Sequence, residues 1–195
     1  MTGLTHLAGG VASLLPLTLA YPALFPDAPL TPEALGAAAL AACLGALLPD
    51  LDAPQSLLKN WKVGYRRTGK RGRTLTPAYR PFDPVASLLS PLLGHRRPLH
   101  SLLGLGVAAV LLGLPAAFWL GWPAALALLL GYASHLLLDA CTVSGVPLLW
   151  PDPRPLWALP KRLRAATGGP WEDLFLAVLA LMGLVALLPL LSRPA

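Results

Sequence analysis

Seven side chains that could bind a metal lie at matching ends of the apolar segments of this chain. His6 opens the first segment, whereas His135 and Asp139 close the fourth. Because successive membrane helices run in opposite directions, all of these ends meet the same membrane face. Imidazole suits zinc and iron, and carboxylate suits manganese. The sequence therefore predicts a metal site at this face, with the ligands His6, Asp50, Asp52, His95, His100, His135 and Asp139.

The pair His135 and Asp139 is the most specific of these motifs. Its spacing of four residues places both side chains on one helical face, among leucines. An ionisable group inside a membrane span costs roughly 2.5–3.5 kcal/mol at the helix centre, so it requires a partner. Asp139 is expected either to bind the metal directly or to orient the His135 ring. The alternative is a hydrogen bond between this histidine and aspartate without a metal.

Asp50 and Asp52 close the second apolar segment, next to Pro49. Residues two apart do not face each other in a regular helix. Because a proline ring clashes with the preceding turn, Pro49 is expected to make the backbone irregular there. Both carboxylates could then point at one cation. The alternative is a polar helix end with two solvated acids.

His95 and His100 lie five residues apart at the entry to the third segment. Pro98 suits the first turn of a helix. This position predicts that His100 lies within the helix and His95 in the preceding loop. The alternative is a pair of interfacial histidines without a metal.

The number of candidate ligands favours two metal ions. A catalytic zinc takes three protein ligands and a water. Two cations about 3.5–4 Å apart lower the pKa of a bound water and clamp both oxygens of a phosphoryl transfer. We therefore expect a hydrolase that uses zinc or manganese and a metal-bound water, without a covalent intermediate. The predicted catalytic residues are Asp50, His100, His135 and Asp139, with Arg96 and Arg97 predicted to bind a substrate phosphate.

The composition indicates a membrane protein. The chain is 55% hydrophobic and only 12% charged, whereas soluble domains have about 25% charged residues. Continuous leucine and alanine runs indicate helices rather than a barrel. The predicted fold is all-α, one integral membrane domain over residues 1–195. It includes an interfacial or re-entrant segment at 81–93 and an interfacial segment at 147–160. The predicted spans are 3–24, 33–50, 99–120, 123–141 and 173–191, each near the 17–25 residues that cross a bilayer.

The basic residues predict the orientation. Ten of the fifteen lie in loop 51–98 and four in loop 142–172, whereas the short connections 25–32 and 121–122 have none. Because cytoplasmic loops carry the excess of lysine and arginine, the N-terminus and the predicted ligands are expected on the cytoplasmic side of the membrane. These loops are expected to contact anionic lipid. Nucleic-acid binding by 59–73 is the less favoured interpretation, and the oligomeric state is not predicted.

The motifs together resemble the YdjM-type family of inner-membrane proteins, described as metal-dependent hydrolases and carrying a proposed link to the LexA repressor. The resemblance covers about residues 1–151 and extends to the last helix. It rests on Thr5-His6, Gly45-Ala-Leu-Leu-Pro-Asp-Leu-Asp52, His95-Arg-x-x-x-His100-Ser, Gly131-Tyr-x-Ser-His135-Leu-Leu-Leu-Asp139 and Ser144-Gly-Val-Pro-Leu-Leu-Trp150-Pro. It implies a metal site and a hydrolase activity but no substrate. Arg97, Leu99 and Val143 stand where the family usually has glycine, threonine and proline, which affects loop shape or substrate choice.

Other functions fit the sequence less well. It lacks the His-Glu-x-x-His of zinc proteases, the Ser-Arg pair and Pro-Ser-Gly-His of PAP2-type phosphatases, and the Gly-x-Ser-x-Gly of serine hydrolases. The alternative is a non-catalytic metal-binding membrane protein. A cation carrier would need polar residues that continue to the outer face, and spans three and four show none beyond the site. An anchor for a cytosolic partner would use the basic loop 55–80.

Overall fold

In the part of the chain that the structure describes, five helices are long and apolar enough to cross a membrane, as predicted. A computed structural model describes residues 1–190 apart from 28–29, 52, 54–55, 58–59, 61, 69–73, 83 and 85–97. Within that part, the helices that are long and apolar enough to cross a membrane are Gly3–Leu24, Pro32–Asp50, Leu102–Leu120, Trp122–Ala140 and Pro170–Leu190. Each agrees with its predicted span to within three residues at either end. The all-α polytopic fold is therefore confirmed.

The spans consist of seven α-helices with short irregular additions. They are α1 (Gly3–Ala12) and α2 (Leu14–Leu24), α3 (Pro32–Leu47) with the 3₁₀ turn Leu48–Asp50, α4 (Leu102–Ala108), a π-helical turn (Ala109–Gly113) and α5 (Leu114–Leu120), α6 (Trp122–Ala140), and α7 (Pro170–Leu187) with the 3₁₀ turn Leu188–Leu190. Local signals set several ends. The Thr31 hydroxyl accepts a hydrogen bond from the Ala34 amide at 3.2 Å and caps α3. Gly121, with φ of +86°, makes the tight turn between α5 and α6.

Two glycines allow α3 and α6 to pack against each other more extensively than any other pair of helices. A Cβ atom added to Gly45 would lie 2.0 Å from the Leu128 carbonyl oxygen. One added to Gly131 would lie 2.1 Å from the Ala42 carbonyl oxygen. Small residues at a membrane helix crossing let the backbones approach closely. Both glycines belong to the sequence motifs, which therefore encode a helix crossing as well as possible ligands.

Helices α1 and α7 lie side by side and run in the same direction. Thr5, near the start of α1, contacts Glu172 in the first turn of α7. Near the other end, a Cβ atom on Gly183 would lie 3.0 Å from Val11. The N-termini of α1 and α7 therefore meet at one face of the protein.

The chain divides into two compact units, Met1–Pro49 with Arg96–Ala195, and Asp50–His95. The first contains the α-helices listed above. The second contains the antiparallel strands β1 (Val63–Thr68) and β2 (Thr74–Tyr79), with Thr68 paired to Thr74. The sequence predicts a basic loop with an interfacial or re-entrant segment at 81–93 in this region, and no strands; residues 83 and 85–93 lie outside the described residues. The expectation of one membrane domain over 1–195 stays a prediction.

Candidate metal centre

Helix α6 places His135 and Asp139 on one face, as their spacing predicts. The His135 Nε2 atom lies 3.6 Å from Asp139 Oδ2. Both residues are ionisable and are buried among leucines near the end of a membrane span. Buried ionisable groups are costly unless they are paired or bind a metal. The arrangement therefore requires partners from other helices.

His100 reaches the same place from the turn before α4. Its Nε2 atom lies 3.3 Å from His135 Nε2 and 3.6 Å from Asp139 Oδ2. The prediction that His100 lies within the helix is wrong, because α4 begins only at Leu102. Ser101 is the N-cap: its hydroxyl accepts a hydrogen bond from the Gly104 amide at 3.2 Å.

A side chain of α6 fixes the turn that carries His100. The Tyr132 hydroxyl donates a hydrogen bond to the carbonyl oxygen of Leu99. Gly104 makes room for this contact, because a Cβ atom there would lie 2.6 Å from the Tyr132 hydroxyl oxygen. His100 is thus held by a buried tyrosine one helical turn from His135.

A backbone carbonyl fixes the orientation of the His135 ring. The Nδ1–H group of His135 donates a hydrogen bond to the carbonyl oxygen of Ala46 at 2.7 Å. Because this bond uses Nδ1 as the donor, the neutral ring keeps its Nε2 lone pair for a ligand. Asp139 faces that same Nε2 atom. Of the two predicted roles for Asp139, metal ligand fits this geometry, since the orienting role belongs to Ala46.

The three groups fit a divalent cation. Ligand atoms of His100, His135 and Asp139 lie within 4.8 Å of one another, and all three residues are buried. The two Nε2 atoms and Asp139 Oδ2 form a triangle with sides of 3.3, 3.6 and 3.6 Å. The point equidistant from its corners lies about 2.0 Å from each, close to the roughly 2.0–2.2 Å of zinc–nitrogen and zinc–carboxylate bonds.

His6 lies on the other side of Asp139. Its Nε2 atom is 3.4 Å from Asp139 Oδ1, and its ring stacks on His135 with the centroids 3.7 Å apart. The Met1 amino group also lies 3.1 Å from Asp139 Oδ1. The Nδ1 atom of His6 is buried and has no hydrogen-bond partner among the described residues. His100 has a buried Nδ1 atom of the same kind, and such atoms are costly to bury without a partner.

Comparison with known proteins gives the same assignment as the motifs. A family model described as YdjM inner membrane protein matches residues 1–193. The chain belongs to the YdjM inner membrane protein family. It is 32% identical to the uncharacterized protein YvsG of Bacillus subtilis (strain 168) over 152 residues, 78% of this chain and 74% of YvsG.

Two proteins that are named YdjM match a shorter region of the chain. Inner membrane protein YdjM of Escherichia coli (strain K12) is 36% identical over 112 residues, 56% of this chain and 47% of that protein. YdjM of Shigella flexneri gives the same values. The chain thus matches about half the length of these two relatives. No solved structure matches it.

The structure brings four of the seven predicted ligands together. These are His6, His100, His135 and Asp139, all in the first compact unit. Asp50 ends the 3₁₀ turn that continues α3 and begins the second unit, so its part in this YdjM-family site stays a prediction. Asp52, His95, Arg96 and Arg97 lie outside the described residues, and their roles also stay predictions.

Two further residues bear on the chemistry of this family member. Cys141 is the C-cap of α6, and burial raises the pKa of its thiol. The expected absence of a covalent intermediate stays a prediction. Glu172 is a buried acid that the sequence analysis did not identify. An acidic residue in the first turn of a helix is so common that its sequence position gave no warning.

Proposed function

We propose that this YdjM-family protein is a membrane-embedded, metal-dependent hydrolase of a phosphoester in a lipid or lipid-linked substrate. The observation that supports it best is the buried triangle of His100, His135 and Asp139 at one end of the membrane spans. Two imidazoles and one carboxylate form the ligand set of several catalytic zinc sites, which keep a further position for water.

Neighbouring groups hold both histidines of the triangle in place. His135 is pre-oriented by the Ala46 carbonyl and presents Nε2. His100 is held by the Ser101 cap and the Tyr132 hydrogen bond to Leu99. A bound divalent cation would acidify a water molecule and polarise a phosphoryl oxygen.

The two oxygens of Asp139 face different partners. Oδ2 lies in the triangle, whereas Oδ1 faces the Met1 amino group at 3.1 Å and His6 at 3.4 Å. A carboxylate arranged in this way could bridge two cations, as two-metal hydrolases require. We propose that His6, together with Asp50, Asp52 and His95, contributes to such a second position. Arg96 and Arg97 would then neutralise a substrate phosphate.

The position of the site favours a lipid substrate at the cytoplasmic face. His6 lies near the start of the first span and Asp139 near the end of the fourth, which is the depth of the headgroups. Fourteen of the fifteen basic residues lie in the two loops on this side. A cysteine introduced as Lys70→Cys is expected to be protected from an impermeant thiol reagent in intact cells. Labelling from outside would overturn the orientation.

Metal analysis of the purified protein tests the proposed site. Wild-type protein in detergent is expected to retain stoichiometric zinc or manganese, and His135→Ala to weaken its affinity more than about 100-fold, beyond the loss that follows removal of an outer-shell partner. Leu137→Ala is the matched control, because Leu137 lies on the same helix with 59% of its surface exposed. The control should bind metal like the wild type. Full loading of Asp50→Ala/His135→Ala would contradict a shared site.

Turnover separates an enzyme from a non-catalytic metal-binding protein. Phosphate release from phosphatidic acid and from a prenyl phosphate, each in mixed micelles, is expected to require metal and to stop with chelator. Cys141→Ser is expected to retain this activity, and oxygen from labelled water should enter the phosphate in a single turnover. Stoichiometric metal with no release from either lipid would favour the non-catalytic alternative.

A further inference from the structure

Glu172 is the most deeply buried charged side chain outside the metal cluster among the described residues, with 3% of its surface exposed. It lies in the first turn of α7, the helix to which the sequence analysis assigned no functional residue. A buried carboxylate is costly unless its oxygens accept hydrogen bonds. Its partners therefore show what it holds in place.

Those partners come from the starts of two helices. One carboxylate oxygen accepts hydrogen bonds from the Thr2 amide and, at 2.7 Å, from the Thr5 hydroxyl. The other accepts one from the Gly168 amide at 2.7 Å. Because α1 and α7 run in the same direction, their positive N-terminal ends lie side by side and repel each other. A carboxylate between them offsets this repulsion.

The segment that Glu172 holds leads directly to the metal cluster. Thr5 is fully buried and immediately precedes His6. The His6 ring in turn stacks on His135 and faces Asp139 Oδ1. The hydrogen bonds of Glu172 therefore fix the first turn of α1, both along the helix axis and in its rotation about that axis. This in turn fixes the position of the His6 ring.

We propose that Glu172 is a positioning residue of the metal centre, which acts through Thr5 and the start of α1 to hold His6 against Asp139. The proposal rests on the metal-binding part of the proposed function. It assigns to the fifth span a residue that contacts the start of the first span, which carries His6. Loss of an outer-shell partner typically weakens metal binding 10–100-fold, and an effect at the lower end is expected because Glu172 acts on one ligand.

The test is a zinc titration of the full chain in detergent against a competing chelator. Glu172→Gln is expected to weaken zinc binding about 10-fold, because one carboxylate oxygen becomes an amide donor that faces other donors. Asp173→Asn is the matched control: it removes the same charge from the same helical turn, but its side chain is exposed. It should change zinc affinity less than about twofold.

A second pair of variants separates positioning from general stabilisation. In a His6→Ala background, Glu172→Gln is expected to have no further effect on zinc affinity, because its route to the metal has been removed. The proposal would be overturned if Glu172→Gln reduced zinc affinity equally with and without His6. It would also be overturned if folded Glu172→Gln bound zinc with wild-type affinity.

Two outcomes remain informative if Glu172→Gln fails to fold. Thr5→Val, which removes the hydroxyl donor, should then weaken zinc binding, whereas Thr5→Ser should retain it. Equal affinities of these two variants would contradict the proposal. If the wild-type protein binds neither zinc nor manganese, the proposed function itself is contradicted. If the wild type binds metal but the affinity does not change with Glu172 or Thr5 substitutions, only the role of Glu172 is contradicted.

Discussion

Helices α6 and α7 have similar lengths and are both strongly apolar, yet α6 is mostly buried inside the protein and α7 is mostly exposed at its surface. In the most apolar window of the span that contains α6, 67% of the residues are buried inside the protein, against 11% for the span of α7. The α7 span is the more hydrophobic of the two, with a mean hydropathy of 2.4 against 1.4. Hydrophobicity therefore does not identify the central helix, because lipid is as apolar as a protein core.

Small and polar residues distinguish the two helices instead. Along α6, Gly131 allows the α3 backbone to approach, and His135 and Asp139 point into the cluster. Along α7, large residues such as Leu181 and Leu184 are exposed to the membrane, and contact with α1 is made at Glu172 and Gly183. In a membrane, close packing and polar pairing specify which helices meet.

The largest effect that would test this comparison is expected at the crossing of α3 and α6. Gly131→Ala places a methyl group 2.1 Å from the Ala42 carbonyl oxygen, so the helices must separate. We expect a loss of more than about 3 kcal/mol of stability, at the upper end of overpacking, and a loss of metal binding. Thermal unfolding in detergent and zinc titration measure both.

Gly36→Ala is the control for that variant. Gly36 lies on α3, and a Cβ atom there meets nothing within 4 Å. The substitution is expected to be neutral or to stabilise by about 0.5–1 kcal/mol, as alanine does in a helix interior. Equal stabilities of the two alanine variants would show that close backbone approach does not hold α6 in place.

A smaller effect is expected from removal of leucine side chains. Leu128 on α6 is 4% exposed, whereas Leu181 on α7 is 63% exposed. Leu128→Ala should cost about 1–2 kcal/mol, less than the roughly 2–5 kcal/mol of a soluble core, because an unfolded membrane helix is already out of water. Leu181→Ala should cost less than about 0.5 kcal/mol. Steric trapping or reversible unfolding in detergent measures the difference, and equal costs would remove the distinction between the two helices.

The membrane spans and the common membrane face of the candidate metal ligands could be predicted from the sequence, because both depend on local patterns. Runs of apolar residues fix where a helix can cross a membrane, and alternate threading brings His6, His100 and Asp139 to one face. The spacing of His135 and Asp139 fixed their common side on α6. The start of α4 was misjudged, because Pro98 was weighed above Ser101, whose hydroxyl caps the helix.

Other parts of the site depend on contacts between helices that no local pattern encodes. Any residue carries a carbonyl, so nothing in the sequence marks Ala46 as the group that orients His135. Strands β1 and β2 were also missed, although Gly69-Lys-Arg-Gly72 lies between them. The basic residues there were interpreted as signals of orientation and of lipid or partner binding, and the strand pattern was not recognised.

The sequence by itself determined that this is an inner membrane protein of the YdjM family, with five spans and histidines and aspartates at one depth. Only the tertiary structure decided which nitrogen His135 presents, that Asp139 has a different partner at each oxygen, and that Glu172 holds the start of α1. The reason is physical. Periodicity and hydropathy fix the depth and face of a side chain, whereas its partners depend on the rotation and separation of helices. Contacts such as those of Gly45 and Gly131 set these quantities.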